Sequence, residues 1–369
     1  MKLILLKNNL IEGLFSVERS IGINTNLPIL KNVLISAEND KIMIAATNLD
    51  IAITHIILGK IIESGSITVP LGIFNAIIKN LNSERITLET KENGLFVITD
   101  NYEATIQGLD AKDFPIIPDI SNKKNSIKIQ SLEFLDSMKK VIVATHFSDI
   151  RPEISGVYIN YSGDKLVFVA TDSFRLAEKT INSTSISSDF ESVSFILPLH
   201  TAEELLRVIS DSDGEISVFI DQNQALFSTK TKNVTTRLID GRFPDYQAII
   251  PKETGTEITI NRQEFINAIK LTSSFSGKTN DVCLTISENK KAIEIFSSDG
   301  SIGENKYKIP IKLKGESLSA VFNWKYILDG LKIYTSEDIV LGTNSPDRPA
   351  IIKNTSDKSI IYVVMPIRK

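Results

Sequence analysis

One phrase recurs along this chain and limits what it can fold into. Leu238-Ile-Asp-Gly-Arg-Phe-Pro-Asp-Tyr246 has a weaker counterpart in Leu109-Asp-Ala-Lys-Asp-Phe-Pro-Ile-Ile117, 129 positions earlier from Phe to Phe. The dipeptide Met365-Pro366 stands 122 positions later. Each follows a run of alternating apolar residues. Proline ends such a run because it offers no N–H to a ladder and keeps the residue before it extended. Other landmarks repeat in the same order. Leu3 to Leu10, Ile127 to Phe134 and Ile258 to Phe265 each read as a short strand entering a helix, with last residues 124 and 131 apart. Ala46-Thr-Asn48 returns as Ala170-Thr-Asp172 after 124 positions and as Ser297-Ser-Asp299 after another 127. Val69-Pro-Leu71 returns as Leu197-Pro-Leu199 and then as Phe322-Asn-Trp324, after 128 and 125. Four landmarks at a common spacing imply one domain copied three times.

The polar stretches Ser121 to Ser126 and Pro251 to Thr256 precede the second and third copies and read as linkers, giving domains over 1–125, 126–254 and 255–369. Each copy halves again. In the first, Leu3–Leu6 leads to a helix over about 8–21, then to Val33–Ile35 and Lys41–Ala45. Ile67–Val69 leads to a helix over about 71–81, then to Ile86–Leu88 and Leu95–Ile98. Each third is thus two β-α-β-β-β units in an α+β domain, with two helices on sheets whose outer strands are free to pair elsewhere.

The second helix of each copy repeats an apolar stripe: Phe74, Ile77, Ile78 and Leu81; Ala202, Leu205, Leu206 and Ile209; Ile327, Leu331 and Tyr334. Each also carries one cation in the same slot, Lys79, Arg207 and Lys332, and Lys139 and Lys270 share a slot in the first helix of copies two and three. The slot lies about 200° from the residue two before it, off the buried stripe. Solvated lysines account for any one of these residues. Their recurrence points to a cationic face turned toward phosphates. The net charge of −4 runs against a general nucleic-acid binder, so such a face must be local.

Signs of catalysis are missing. The chain has no glycine-rich phosphate loop and no G-x-S-x-G elbow. His55, His146 and His200 are far apart in sequence and in no metal-ligand spacing, and Glu203-Glu204 reads as solvated helix surface. Asp172 and Asp240 stand beside Ser or Gly at turns, where Asp bonds its own backbone. The single cysteine, Cys283, forms no internal disulfide and reads as a small buried hydrophobe. The apolar start is broken at Lys7, too early for a signal peptide, and no run reaches membrane-span length, so a cytoplasmic location is expected. No enzyme, cofactor or metal is expected.

Leu27-Pro-Ile-Leu30, Ala46 to Asp50, Ala170-Thr-Asp-Ser-Phe-Arg-Leu176, Leu238 to Tyr246, Asn323-Trp-Lys-Tyr326 and Tyr362-Val-Val-Met-Pro-Ile-Arg368 together resemble the signature blocks of the bacterial β sliding clamps, the processivity subunits of DNA polymerase III. The resemblance spans the chain in the family's order. It implies three DNA-clamp domains per chain, and a head-to-tail homodimer closing a ring around double-stranded DNA without sequence specificity. Helices would line the hole and sheets would lie outside. It also implies a cleft for short peptide motifs of the polymerase catalytic subunit, the clamp loader and other replication and repair polymerases. By matched motif the cleft would be Ile154, Thr171, Ser173, Phe174, Arg175, Leu176, Pro244, Ile249, Asn323, Tyr326, Pro346, Val363, Met365, Pro366, Ile367 and Arg368. For Leu176, Ile249 and Val363 the plain alternative is core packing. Arg151 would join the cations as a phosphate contact, and Ile106 would lie at the dimer edge.

The chain departs from the family at three points: Phe174 replaces a His or Tyr, Asn24 an arginine, and Gly72 a basic residue. Two other readings stand beside the clamp, a hydrolase or transferase of repeated α+β domains and a peptide adaptor that never encloses DNA. Cutting the chain before Tyr362 is expected to abolish peptide binding and spare dimerisation.

Overall fold

The computed structural model describes all residues except 23–26, 118, 121–122, 183–184, 355 and 369, so Asn24 lies outside the described residues. Six helices recur at the expected positions: α1 (Lys7–Val17), α2 (Leu71–Asn80), α3 (Ser131–Val141), α4 (Leu199–Val208), α5 (Arg262–Ser273) and α6 (Trp324–Lys332). Helix α1 is shorter than its apolar pattern suggested, ending at Val17. The later helices carry side-chain caps: Asn261 Oδ1 accepts from the Glu264 amide at 3.0 Å and Asn323 Oδ1 from the Lys325 amide at 3.0 Å, which satisfies N–H groups that the first helical turn leaves open.

The chain forms two compact units, one of Met1–Leu135, Ser185–Phe190 and Glu203–Leu238, the other of Asp136–Thr184, Glu191–Ala202 and Ile239–Lys369. Within a third, each β-α-β-β-β half crosses over. Its leading strand joins the three-strand meander of the other half, so Lys2–Leu6 pairs with Arg85–Lys91 while Gly65–Pro70 pairs with Asn32–Glu38. All named pairings are antiparallel, as in Thr256–Asn261 against Asp338–Thr343 and Asp281–Ile286 against Ser319–Asn323 in the last third.

The middle third contributes strands to both units. In the first unit Lys232–Arg237 pairs with Ile51–Ile57, with Lys232 opposite His55 and Thr236 opposite Ile51, making one nine-stranded sheet. In the second unit Arg175–Asn182 pairs with Ile360–Val364, with Leu176 opposite Val363, and a second nine-stranded sheet results. The outer strands expected to pair elsewhere therefore pair with the neighbouring third. Two further sheets end in open edges. The five-stranded sheet ends at Glu103–Gln107 and the four-stranded sheet at Gly303–Pro310. The other edge of the latter, at Val321, accepts a hydrogen bond from the Ile367 amide of the C-terminal tail at 2.7 Å.

The helix stripes fill the cores. Phe74, Ile78, Leu205, Ile327 and Leu331 are buried, while Ile77 and Leu206 are half-buried at the margin. A Cβ on Gly330 would lie 2.5 Å from the Tyr362 ring, so α6 approaches the central strand as closely as it does only because no side chain intervenes. Tyr362 is fully buried in the middle of its sheet. A chain cut before it loses a central strand, so that truncation would destroy the unit it was meant to probe.

Cys283 is half-buried rather than buried, because Val282, Leu284 and Ile286 take the inward positions of its strand and Cys283 faces the other way. His55 is buried at the ladder between the first two thirds, with Nδ1 2.9 Å from Ser16 Oγ and Nε2 3.9 Å from the exposed Glu12 carboxylate. Burial, and then repulsion from Lys232, lowers its pKa below the usual 6.5; Glu12 and the nearby Asp213 only partly offset this. The native state then binds fewer protons than the unfolded chain below that value, so this stabilising term is present above pH 6.5 and is lost as pH falls toward the depressed value. Thermal melts taken from about pH 7.5 down to about pH 5.5 are expected to show a steeper loss of Tm for the wild type than for His55→Gln; equal slopes would assign the acid sensitivity to other groups.

Candidate functional site

Two groups of the expected cleft residues come together in the second unit. The first surrounds the ladder between Arg175–Asn182 and Ile360–Val364. Ile154, Leu176 and Val363 are 4%, 2% and 1% exposed and form one apolar cluster with Val169, Ile196, Phe243 and Tyr246. These three are core residues, as the packing alternative held for Leu176 and Val363. Ile249 is not core: it is 45% exposed, on the 3-10 turn Gln247–Ile249, with half-buried Pro244 earlier in the same segment.

Beside this cluster stands the turn Thr171 to Arg175. Asp172 Oδ1 accepts from the Phe174 and Arg175 amides at 2.9 and 3.0 Å, the backbone role read from the sequence. Its other oxygen accepts from Arg175 Nε at 3.0 Å. Arg175 Nη1 donates to Asp329 at 2.5 Å, and its guanidinium lies 4.4 Å from the centre of the Tyr326 ring. Burial opposes the Arg175 charge, but Tyr362 and the two carboxylates outweigh it and raise the pKa further above its usual range. Burial, and then Asp172, likewise push the Tyr326 phenol above its usual value, so its hydroxyl stays protonated at neutral pH.

Phe174 is 59% exposed, and its ring stacks on Tyr326 with centroids 6.4 Å apart. The Phe174 carbonyl accepts from the Met365 amide at 2.8 Å, which fastens the start of the tail to this turn. Asp329 was not found by sequence reasoning. It lies 154 positions from Arg175, and only its place on α6 brings it near.

The second group follows the tail. Pro346, Ile367 and Arg368 line an open cavity of about 470 Å³ with Ser319, Ala320, Val321 and Asp347. Met365 and Pro366 are half-buried between the two groups in sequence, and Asn323 caps α6. The cavity mixes apolar Ala320, Val321, Pro346 and Ile367 with polar Ser319, Asp347 and Arg368, a lining that suits an extended peptide.

The cations divide. Lys79, Lys139, Lys270 and Lys332 are exposed on their helices; Lys79 lies 3.4 Å from Glu18 and Lys332 3.4 Å from Asp329. Gly72, at the start of α2, is exposed and has open space around its Cβ position. Arg207 departs from the expected set. Its side chain is 12% exposed, its guanidinium pairs with Glu204 at 2.8 Å and lies 4.8 Å from the Phe15 ring centre, and it donates to the Phe15 and Ser16 carbonyls. Glu204, expected at the solvated surface, is instead 2% exposed. Helical spacing marked where Arg207 begins but not the α1 carbonyls waiting for it. Ile106 also differs: its strand is an outer strand of its sheet, but the side chain is 4% exposed and packs inward. Arg151 is exposed and bonded to Glu153 in its own loop and to Ser173 in the turn from Thr171 to Arg175.

Three successive domains, each made of two crossed β-α-β-β-β halves, define a DNA-clamp-fold protein. Models of the DNA polymerase III beta subunit match the chain in order, the N-terminal domain at residues 1–118, the central domain at 128–245 and the C-terminal domain at 247–368. The chain belongs to the bacterial β sliding clamp family, the non-catalytic processivity factors of DNA polymerase III. It is 29% identical over 380 residues to the beta sliding clamp of Bacillus subtilis (strain 168), covering 100% of both chains. The crystal structure of the Bacillus subtilis sliding clamp matches with a TM-score of 0.93 at 28% identity, over 100% of this chain and 99% of that one. A Pseudomonas aeruginosa sliding clamp bound to griselimycin matches with a TM-score of 0.94 at 25% identity, over 100% of both.

Arg207→Ala removes the 2.8 Å partner of the buried Glu204 carboxylate and leaves it only Arg19 at 3.9 Å, and is expected to cost about 2 kcal/mol in urea unfolding. Lys79→Ala is expected to stay within about 0.5 kcal/mol, and similar losses for the two would contradict the different roles assigned here.

Proposed function

We propose that this chain forms a head-to-tail homodimeric ring that encircles double-stranded DNA, slides without sequence specificity and tethers partners through the second-unit cleft. The observation that carries this is the match of all three domain models, in order, along nearly the whole chain. We place the domains at 1–125, 126–254 and 255–369; the gap between the first two matched segments takes in the polar stretch near 121–126, while the second and third segments meet at 245 and 247, ahead of the polar stretch near 251–256. The open edges at Glu103–Gln107 and Gly303–Pro310 supply unpaired backbone groups at which one copy can add to the next. Ile106 then supports the edge from inside.

The partners are the polymerase catalytic subunit, the clamp loader and other replication and repair polymerases, each through a short peptide with apolar ends. The location is cytoplasmic; no helix among the described residues is long and apolar enough to cross a membrane. Lys79, Lys139, Lys270, Lys332 and Arg151 face the DNA, and the half-buried Arg207 supports the helix pair behind them. A ring held by topology needs little phosphate affinity, and strong counterion release would hinder sliding.

After loading onto nicked circular DNA, the dimer is expected to stay bound through gel filtration and to leave once the circle is linearised. Equal escape from both substrates would favour the adaptor that never encloses DNA. Deleting residues 365–369 keeps the central strand Ile360–Val364. That variant is expected to remain folded and dimeric while losing at least about tenfold in affinity for a labelled peptide ending in Leu-Phe, or for griselimycin. Unchanged affinity would remove the tail from the cleft.

A further inference from the structure

Ser173 has φ of 77°, a left-handed conformation unusual for a residue other than glycine, at the tip of the turn from Thr171 to Arg175. The turn closes from within. Thr171 Oγ1 donates to the Arg175 carbonyl at 2.7 Å and accepts from the Ser173 amide at 3.1 Å, while Asp172 takes the next two amides. The first repeat contains the same device. Thr47 Oγ1 donates to the Ile51 carbonyl at 3.0 Å and accepts from the Leu49 amide at 3.0 Å, Asn48 takes the next two amides, and Leu49 has φ of 79°. Leu49 is 47% exposed and has no side-chain hydrogen bond to give. The turn therefore forms without outside help.

In the second repeat it nevertheless receives an outside contact. Arg151 Nη1 donates to Ser173 Oγ at 2.9 Å, and Arg151 Nε donates to Glu153 at 3.1 Å, which aims the guanidinium. Since the turn does not require this bond, its effect falls on the other partner, the loop over 146–151. The base of that loop is fixed: the Ser148 amide donates to Ser155 Oγ at 2.8 Å, and Ser155 Oγ to the Ser148 carbonyl at 2.9 Å. Its outer part presents Phe147 and Ile150, 65% and 92% exposed, and the chain then runs through Arg151 to Ile154 in the apolar cluster.

We propose that the Arg151–Ser173 hydrogen bond is a latch restraining this loop at the mouth of the peptide cleft, and that a phosphate group of enclosed DNA opens it by drawing Arg151 away. Arg151 is then a positioning residue that makes peptide binding depend on DNA. The exchange is favourable in kind. A serine hydroxyl is a neutral acceptor, whereas a phosphate can take two parallel charge-assisted bonds from the same guanidinium. Arg151 uses two of its five N–H groups in the latch, and its side chain is 46% exposed, so the rest can reach an incoming anion.

The inference rests on the cleft and ring reading above. Its test is a fluorescence-polarisation titration of the full dimer with a labelled peptide ending in Leu-Phe, with and without a short DNA duplex. The wild type, Arg151→Ala, Ser173→Ala and the double variant are compared. Each single variant is expected to bind the peptide about threefold more tightly without DNA, and the double variant no more tightly than either. Duplex is expected to strengthen binding to the wild type by a similar factor and to leave all three variants unchanged. Weaker or unaltered binding in the single variants, additive effects in the double variant, or the same response to duplex in all four proteins would overturn the latch. Both exchanged side chains are exposed, and matching melting curves would exclude misfolding. Failure of the wild type to bind the peptide, or to remain on circular DNA, would instead overturn the reading beneath it.

Discussion

An unpaired β-strand edge must be satisfied by something, and this chain satisfies two of its edges with its own neighbouring repeats. Antiparallel ladders join Lys232–Arg237 to Ile51–Ile57 and Arg175–Asn182 to Ile360–Val364. Each ladder gives buried N–H and C=O groups the partners they would otherwise lack. These two joints turn three short α+β repeats into two units, each with a continuous nine-stranded sheet. The crossed leading strands lock every half into its sister, so no repeat holds its sheets together without both halves.

The two joints are built alike and equipped differently. At the first, the ladder carries buried His55 beside Lys232, whose ammonium is itself paired with Asp213 at 2.9 Å, and the neighbouring helices are tied by Arg207 and Glu204. Charges there are paired inward, and little is left to engage a ligand. At the second, the ladder ends at a turn where Arg175 is held by Asp172 and Asp329 beneath an aromatic ring, with Phe174 exposed above. The tail then continues from Val364 past that turn.

Much of this architecture was legible because it rests on local rules. Strand endings before proline, helical stripes and the order of repeats depend on residues a few positions apart, and they placed all six helices and the β-α-β-β-β halves. Crossing of the leading strands was not legible, since a strand's own alternation does not say which meander it will join. In the candidate site, the turn from Thr171 to Arg175 could be read from its Asp and Ser. Its ties to Asp329, Arg151 and Met365 could not, because they join elements set side by side only by the sheet. Arg207 and Glu204 show the same limit from the other side. Both sat in slots where helical geometry allows exposure, and the phenylalanine and carbonyls of α1 decided otherwise.

The withdrawal of Arg207 into the protein changes the electrostatic picture. Of the helix cations that recur by position, Lys79 and Lys332 each have a carboxylate about 3.4 Å away, which reduces their pull on an external anion. Exposed pairs of this kind contribute little to stability, so their arrangement is better understood through what they do to the surrounding field. A strong cationic surface would bind phosphates tightly and release many counterions, and each step along a duplex would then require breaking those contacts. Moderated lysines on exposed helix faces, in a chain with net charge −4, keep the attraction shallow. Shallow attraction is a disadvantage for a protein that must find and grip DNA by affinity, and an advantage for one held on it by closure.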